Sequence, residues 1–259
     1  MIARTAVTFV AWMALAGASV AQQKARTYGL PAGAHVIELQ SLAARRHADR
    51  ALVLWMLKPT KYPTGYDRDE PYTCPDETRG SHYSGPTRVS LIDTMTNKVN
   101  NTINVIDAHL NDQNTFDIPY AIRKGPYYKI VGKPDRIGEA KPHIMFLKDY
   151  NGDGKALEFS LFDALACMGL ETTLIGYSET QDKVIQYPVS LEVIEGEKRS
   201  TEVRQWVDYL FSKKPIKSGY WKYEIDYRGR GGSLDKYEIR YNSKAERFEG
   251  TFVIQTDQR

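Results

Sequence analysis

Between residues 149 and 158 the chain reads Asp149-Tyr-Asn151-Gly-Asp153-Gly154-Lys155-Ala-Leu-Glu158. Side-chain oxygens fall at alternate positions, a glycine follows the third, and a carboxylate returns at the tenth. Donors at that spacing let a short loop wrap a hard divalent cation; the glycine permits the sharp turn and the late acid closes the shell. The chemistry predicted is calcium binding. Its ligands are the side chains of Asp149, Asn151, Asp153 and Glu158 and the main-chain carbonyl of Lys155. The plainer alternative is an Asx-rich turn without an ion, since Asn-Gly and Asp-Gly are common turn dipeptides. Three donors at alternate positions exceed what a turn needs.

Other chemistry is less well signposted. His35, His47, His82, His109 and His143 are scattered and form no H-x-x-x-H or H-E-x-x-H pair, so spacing gives a zinc site no support. No G-x-S-x-G elbow, Walker pattern or dinucleotide-binding glycine motif occurs. Gly80-Ser81-His82-Tyr83-Ser84-Gly85 gathers hydroxyls and an imidazole, and reads as a Gly/Ser turn ahead of a nucleophile site. Arg228-Gly-Arg230-Gly-Gly232 reads as a hairpin loop, with Arg228 and Arg230 as candidates for contact with an anion or acidic sugar. The many Asp and Glu residues leave a glycosidase-type pair open, and sequence does not choose among them.

Residues 1–21 have the form of a secretory signal peptide: Arg4, a short apolar run from Ala6 to Ala16, then small residues through Ala21. The run is too short to span a bilayer. Cleavage near Ala21 removes one base and no acid, taking the formal charge from +3 to +2. So balanced a chain has no global field for nucleic acid. The expected location is secreted or periplasmic, with residues 22–34 as a mobile N-terminal segment. Only two cysteines exist, Cys74 and Cys167. Export and an even count favour a disulfide between them, closing a loop of roughly 90 residues and stabilising by about 4–5 kcal/mol in the chain-entropy model. Two buried free thiols are the alternative.

The elements that must position these residues are mostly strands. His35–Leu42 and Ala51–Leu57 read as strands, the second apolar on both faces and central. Lys58–Pro86 reads as a long Pro/Gly loop. Arg88–Asp93 and Thr102–Ile106 form a hairpin, and Asp117–Ile122 and Tyr127–Val131 are shorter strands. His143–Leu147 is a strand entering the 149–158 loop and Leu157–Phe162 a strand leaving it. Phe162–Met168 has helical spacing with Gly169 as C-cap. Thr172–Tyr177 and Val184–Val193 form a strand pair. Thr201–Phe211 is the clearest helix, with Val203, Trp206, Val207, Leu210 and Phe211 on one stripe. Tyr220–Tyr227 and Leu234–Asn242 form a hairpin whose register is set by charge: Glu224 opposite Lys236, Lys222 opposite Glu238, Tyr223 opposite Tyr237 and Trp221 opposite Ile239. Phe248–Gln255 adds a third strand.

The 149–158 pattern resembles the calcium loop of FG-GAP or VCBS-type repeats, D-x-N-x-D-G, in which the loop lies between strands. It also resembles an EF-hand loop, but Ser160 stands where that motif needs a bidentate acid and the entering segment is strand-like. The resemblance covers about 20 residues in one copy. It implies a calcium loop and carries no activity. The fold expected is α+β and β-rich, with antiparallel meander sheets and one or two short helices. It occupies residues 35–259 as a single domain, with a sub-boundary near 196–200. The function expected is an exported, calcium-stabilised binding or structural module without catalysis, whose ligand is a protein or a cell-envelope glycan. The alternatives are a secreted hydrolase of glycans or peptides with structural calcium, and an inhibitor of an envelope-degrading enzyme.

Overall fold

A computed structural model describes residues 28–43, 47–62, 78–79, 82–106, 108, 115–118, 121–122, 128–131, 141–163 and 169–256. The signal-peptide segment 1–21, Cys74, Cys167 and the helical stretch expected over 164–168 lie outside these residues.

The first sheet is built on one long strand. β1 (Ala34–Ser41) pairs antiparallel with β2 (Arg50–Leu57). The short strands β3 (Thr60–Tyr62) and β4 (Thr78–Arg79) follow, then the twelve-residue β5 (His82–Asp93) and β6 (Lys98–Asn104). β5 pairs with β2 and β6 along its second half and with β3 and β7 (Thr115–Ile118) along its first. The 58–86 segment is therefore not one loop: it contains β3, β4 and the start of β5. Its His82–Gly85 portion, expected as a flexible turn, is strand. β2 is central, as its composition predicts. Leu52, Leu54 and Met56 enter one core cluster, while Val53 and Trp55 enter another on the opposite face. A period-2 chain that is apolar at every position must be covered on both sides.

β8 (Ala121–Ile122) pairs with β4, and β9 (Lys129–Val131) with β10 (Lys141–His143). The strand expected over 143–147 stops at His143; Ile144, Met145 and Leu147 are buried without joining a ladder. Next comes a middle sheet of β11 (Glu158–Asp163), β12 (Glu171–Ser178) and β13 (Lys183–Gln186). β11 covers the strand expected over 157–162 from Glu158 onward and extends through Asp163, so Phe162 and Asp163 do not open the helix expected from Phe162. Along β12, Leu174 enters the core shared with the C-terminal sheet, whereas Ile175 and Tyr177 enter the core shared with the first sheet. This sheet is thus a buried layer between two others.

The strand expected over 184–193 breaks at Tyr187-Pro188, and β14 (Val189–Glu195) joins the C-terminal sheet instead. β15 (Lys198–Arg204) replaces the N-terminal half of the helix expected over 201–211. It pairs residue for residue with β14 across Gly196-Glu197, and Gly196 takes the positive φ of 57° that a two-residue hairpin turn needs at its first position. Val203, assigned to the buried stripe, is 64 % exposed on this edge strand. The remaining stripe residues are buried by a winding path: Trp206, then β16 (Val207–Asp208) against β12, then a 3-10 turn at Leu210–Ser212. The expected sub-boundary at 196–200 falls within the β14–β15 hairpin.

β17 (Tyr220–Asp226), β18 (Leu234–Asn242) and β19 (Arg247–Gln255) complete the sheet in the order β15-β14-β19-β18-β17. The charge-selected register is observed: Lys222 opposite Glu238, Glu224 opposite Lys236, Tyr223 opposite Tyr237 and Trp221 opposite Ile239. Tyr223, Tyr237 and Phe252 stack in a row with centroids 4.9 and 4.4 Å apart. β14 and β19 run parallel, a departure from a pure meander. The architecture is β-rich with mostly antiparallel sheets. Among the described residues there is no α-helix, so the α component expected of an α+β fold is not found; helical backbone is confined to short 3-10 turns. No helix of the described residues is long and apolar enough to cross a membrane.

Candidate functional site

Both ends of the 149–158 loop are rooted in one core cluster. Leu147 and Leu157 are buried on either side of it. Between them Lys148 N–H donates to the Glu158 carbonyl at 2.8 Å and Glu158 N–H returns to Lys148 at 3.3 Å. The loop is therefore a closed hairpin, and its last residue is the first of β11.

The side chains then order the loop from within. Asp149 accepts the N–H of Gly152 (2.7 Å) through Oδ1 and that of Gly154 (3.1 Å) through Oδ2. Asn151 Oδ1 accepts Asp153 N–H at 2.9 Å, and Asp153 Oδ1 accepts Lys155 N–H at 2.8 Å. Glu158 lies beneath, fully buried. Its Oε2 accepts Tyr150 N–H at 3.0 Å and its Oε1 accepts Asn151 Nδ2 at 3.0 Å. Burial pushes the Glu158 carboxyl up to about 8; the nearby charges of Asp153 and Asp149 push the same way and the two donors oppose them.

The loop is docked on the C-terminal sheet. Gly219 N–H donates to Tyr150 O at 3.0 Å, and Tyr150 stacks near Trp221 (6.5 Å) and meets Phe211 edge-on (5.9 Å). The approach is so close that a Cβ on Gly219, whose φ is +76°, would lie 2.5 Å from the Asn151 carbonyl.

Asp149, Asn151, Asp153 and Glu158, four of the residues singled out from sequence, are thus brought together, and Lys155 follows on the loop rim. Among the described residues, no lysine, arginine or histidine pairs with Asp149, Asp153 or Glu158. The donor set is hard oxygen in surplus negative charge, which suits calcium. Its oxygens nevertheless turn to loop amides, and among the described residues no group of three or more His, Cys, Asp or Glu gathers as a metal cluster. The Asn151 amide nitrogen stands between Glu158 Oε1 and Asp153 Oδ2, 3.4 Å from the latter.

Beside the loop opens a cleft of about 110 Å³, bordered by Asp153, Tyr177, Glu179, Tyr187, Tyr241 and Glu246. No linear pattern points to it, because its walls come from the loop, β12, the turn after β12 and the β18–β19 turn. Glu246 holds a left-handed φ of 45° and accepts Ser178 Oγ (2.6 Å) and Gln181 Nε2 (2.7 Å). Glu179 pairs with Lys155 and with His47 (2.7 Å); the Lys155 hydrogen bond is the main force holding its carboxyl below the usual range.

Elsewhere, Arg228 makes a two-point pair with Asp226 (2.9 and 2.7 Å), holding that carboxyl down to about 2, while Arg230 is exposed on the 3-10 turn of the hairpin loop. A second pair is invisible in sequence. A β-bulge in β1 turns Glu38 toward His143 Nδ1 at 2.6 Å, and its other oxygen takes the N–H groups of Ile144 (2.7 Å) and Met145 (3.3 Å). Comparison with protein-family models, with curated proteins and with solved structures gives no match.

Proposed function

We propose that the chain is an exported binding or structural module without catalytic activity, whose 149–158 loop is stabilised by calcium. The observation carrying this reading is the buried Glu158 carboxylate beneath Asp149 and Asp153, with no basic side chain among the described residues to balance the three. Asp149, Asn151, Asp153 and Glu158 would hold the ion with the Lys155 carbonyl. When bound, calcium supplies positive charge that lets Glu158 ionise without its burial penalty. The chain's own part is to keep these oxygens on a closed, docked hairpin. The ligand of the module is a protein or an envelope glycan.

Thermal unfolding with and without calcium tests the loop. At a dissociation constant of about 10⁻⁴–10⁻³ M, ~5 mM calcium stabilises by about 1–2 kcal/mol, which raises Tm by several degrees. Asp149→Ala and Asp153→Ala abolish the rise. An unchanged melting curve in calcium against chelator removes the ion from the reading.

A further inference from the structure

The cleft beside the loop sets three carboxylates, Asp153, Glu179 and Glu246, among hydroxyl and aromatic side chains. Asp153 and Glu246 have no basic partner among the described residues, Glu179 contributes a third carboxylate, and Glu158 lies beneath. The cations nearby, Lys155 and His47, are both engaged with Glu179, so they leave the field of Asp153 and Glu246 uncompensated.

An independent feature points to a ligand. Tyr187 is 1 % exposed, yet it lines the cleft, and its hydroxyl has no hydrogen-bond partner among the described residues. Burial and then the charges of Glu158, Tyr241, Glu246 and Asp153 push its titration upward, so it stays a phenol. Tyr241 stands at its side, ring centroids 6.0 Å apart and edge to face, with its own hydroxyl pushed up to about 12, first by burial and then by Glu246, Glu158 and Asp153. The Tyr187 ring is buried and its hydroxyl, without a protein partner among the described residues, is left to the cleft, where a bound group can complete its hydrogen bonds.

Size selects among ligands. The space is about 110 Å³, below the roughly 150 Å³ that an enclosed cavity offers a benzene ring and near the share of about four waters. The end of a linear chain fits a space of that size. Charge selects further: an ammonium or guanidinium head brings only donors, which Asp153, Glu246 and the Tyr187 oxygen accept, and its charge faces aromatic walls.

The geometry points to a receptor site for the ammonium or guanidinium end of a linear chain, held by Asp153, Glu246 and Tyr187, with a lysine or arginine side chain of a protein partner or a free polyamine as its source. This inference rests on the reading of the chain as a binding module and narrows its ligand to a cationic chain; it shares Asp153 with the calcium loop, so calcium and the cationic head compete for that carboxylate.

The full exported chain, in chelator, is titrated with N-acetyl-lysine methylamide, with its uncharged norleucine counterpart and with spermidine, following the ring signals of Tyr187 and Tyr241 by NMR. The lysine probe saturates those signals, and the norleucine probe binds at least tenfold more weakly. Glu246→Gln weakens the lysine probe at least tenfold with Tm little changed, and Tyr187→Phe weakens it two- to fivefold. Spermidine binding more than tenfold tighter than the lysine probe assigns the site to free polyamines; equal or weaker binding assigns it to a protein side chain. Absence of saturable shifts with both amines, or equal binding of the norleucine probe, overturns the proposal. Calcium shifting these signals where neither amine does overturns it as well and makes the cleft part of a metal site. A null result for amines with the calcium-dependent Tm intact removes this inference alone; the converse removes the calcium loop alone.

Discussion

Replacing Gly219 by alanine tests how firmly the 149–158 loop is seated. Two penalties act on that one methyl group. The first is conformational: φ is +76°, a region costing an L-residue about 1–2 kcal/mol. The second is steric: the new Cβ would sit 2.5 Å from the Asn151 carbonyl oxygen and 3.1 Å from its carbon, both main-chain atoms that cannot swing aside. Relief requires the loop to lift, which stretches the 3.0 Å bond from Gly219 N–H to Tyr150 O. Overpacking of this kind costs about 1–3 kcal/mol, so the total expected is about 2–5 kcal/mol. Gly196 supplies the internal control. Its φ is also positive, +57°, but a Cβ there would meet nothing within 4 Å, so Gly196→Ala incurs only the conformational penalty of about 1–2 kcal/mol. Urea denaturation of both variants at equal m-value gives the difference directly. Equal losses of stability for the two variants would show that the loop is not pressed against residues 218–219, and the seating argument would fail.

The pH response of the metal-free protein is a second test. Glu158 has a folded-state titration raised from 4.5 to about 8. The stability it contributes is fully present below pH ~4.5, is lost as pH rises from there through about 8, and levels off above that. The slope approaches about 1.4 kcal/mol per pH unit for one proton. Chemical denaturation across pH 5–9 in chelator should show this fall, and Glu158→Gln should lack it; parallel curves refute the assignment. Trp221→Ala removes a ring that is 1 % exposed and packed on Phe211 and Phe248, and should cost about 3–5 kcal/mol by the same assay. A cost under 1 kcal/mol would mean that the C-terminal core is not where the structure puts it.

The hairpin of β17 and β18 is legible to the residue because two independent patterns agree there. Lys222 and Glu224 find opposite charges only in the register that also pairs Tyr223 with Tyr237. The segment 201–211 misleads because its apolar residues fall at helical intervals for unrelated reasons: Val203 is on a solvent-facing edge, while Trp206 and Phe211 are buried by separate turns of chain. Glu195-Gly196-Glu197-Lys198 holds the corrective signal, a glycine between two strand-like runs. The loop acids are visible from spacing alone, since a ten-residue motif is local. Glu246, Tyr187 and Tyr241 are not, because nothing in a linear pattern says that the turn after β18 returns to the 149–158 loop. The Glu38–His143 pair needs contact across 105 positions and a bulge that re-aims one side chain.

The placement of β19 has a consequence for how the molecule is made. It follows β14, β15, β17 and β18 in chain order, yet it lies at the middle of their sheet, between β14 and β18. Until residues 247–255 have been synthesised, the other four strands are two separate hairpins with an open gap. Assembly of the C-terminal half is therefore a late event, completed only when the last strand to be made slots between the two hairpins.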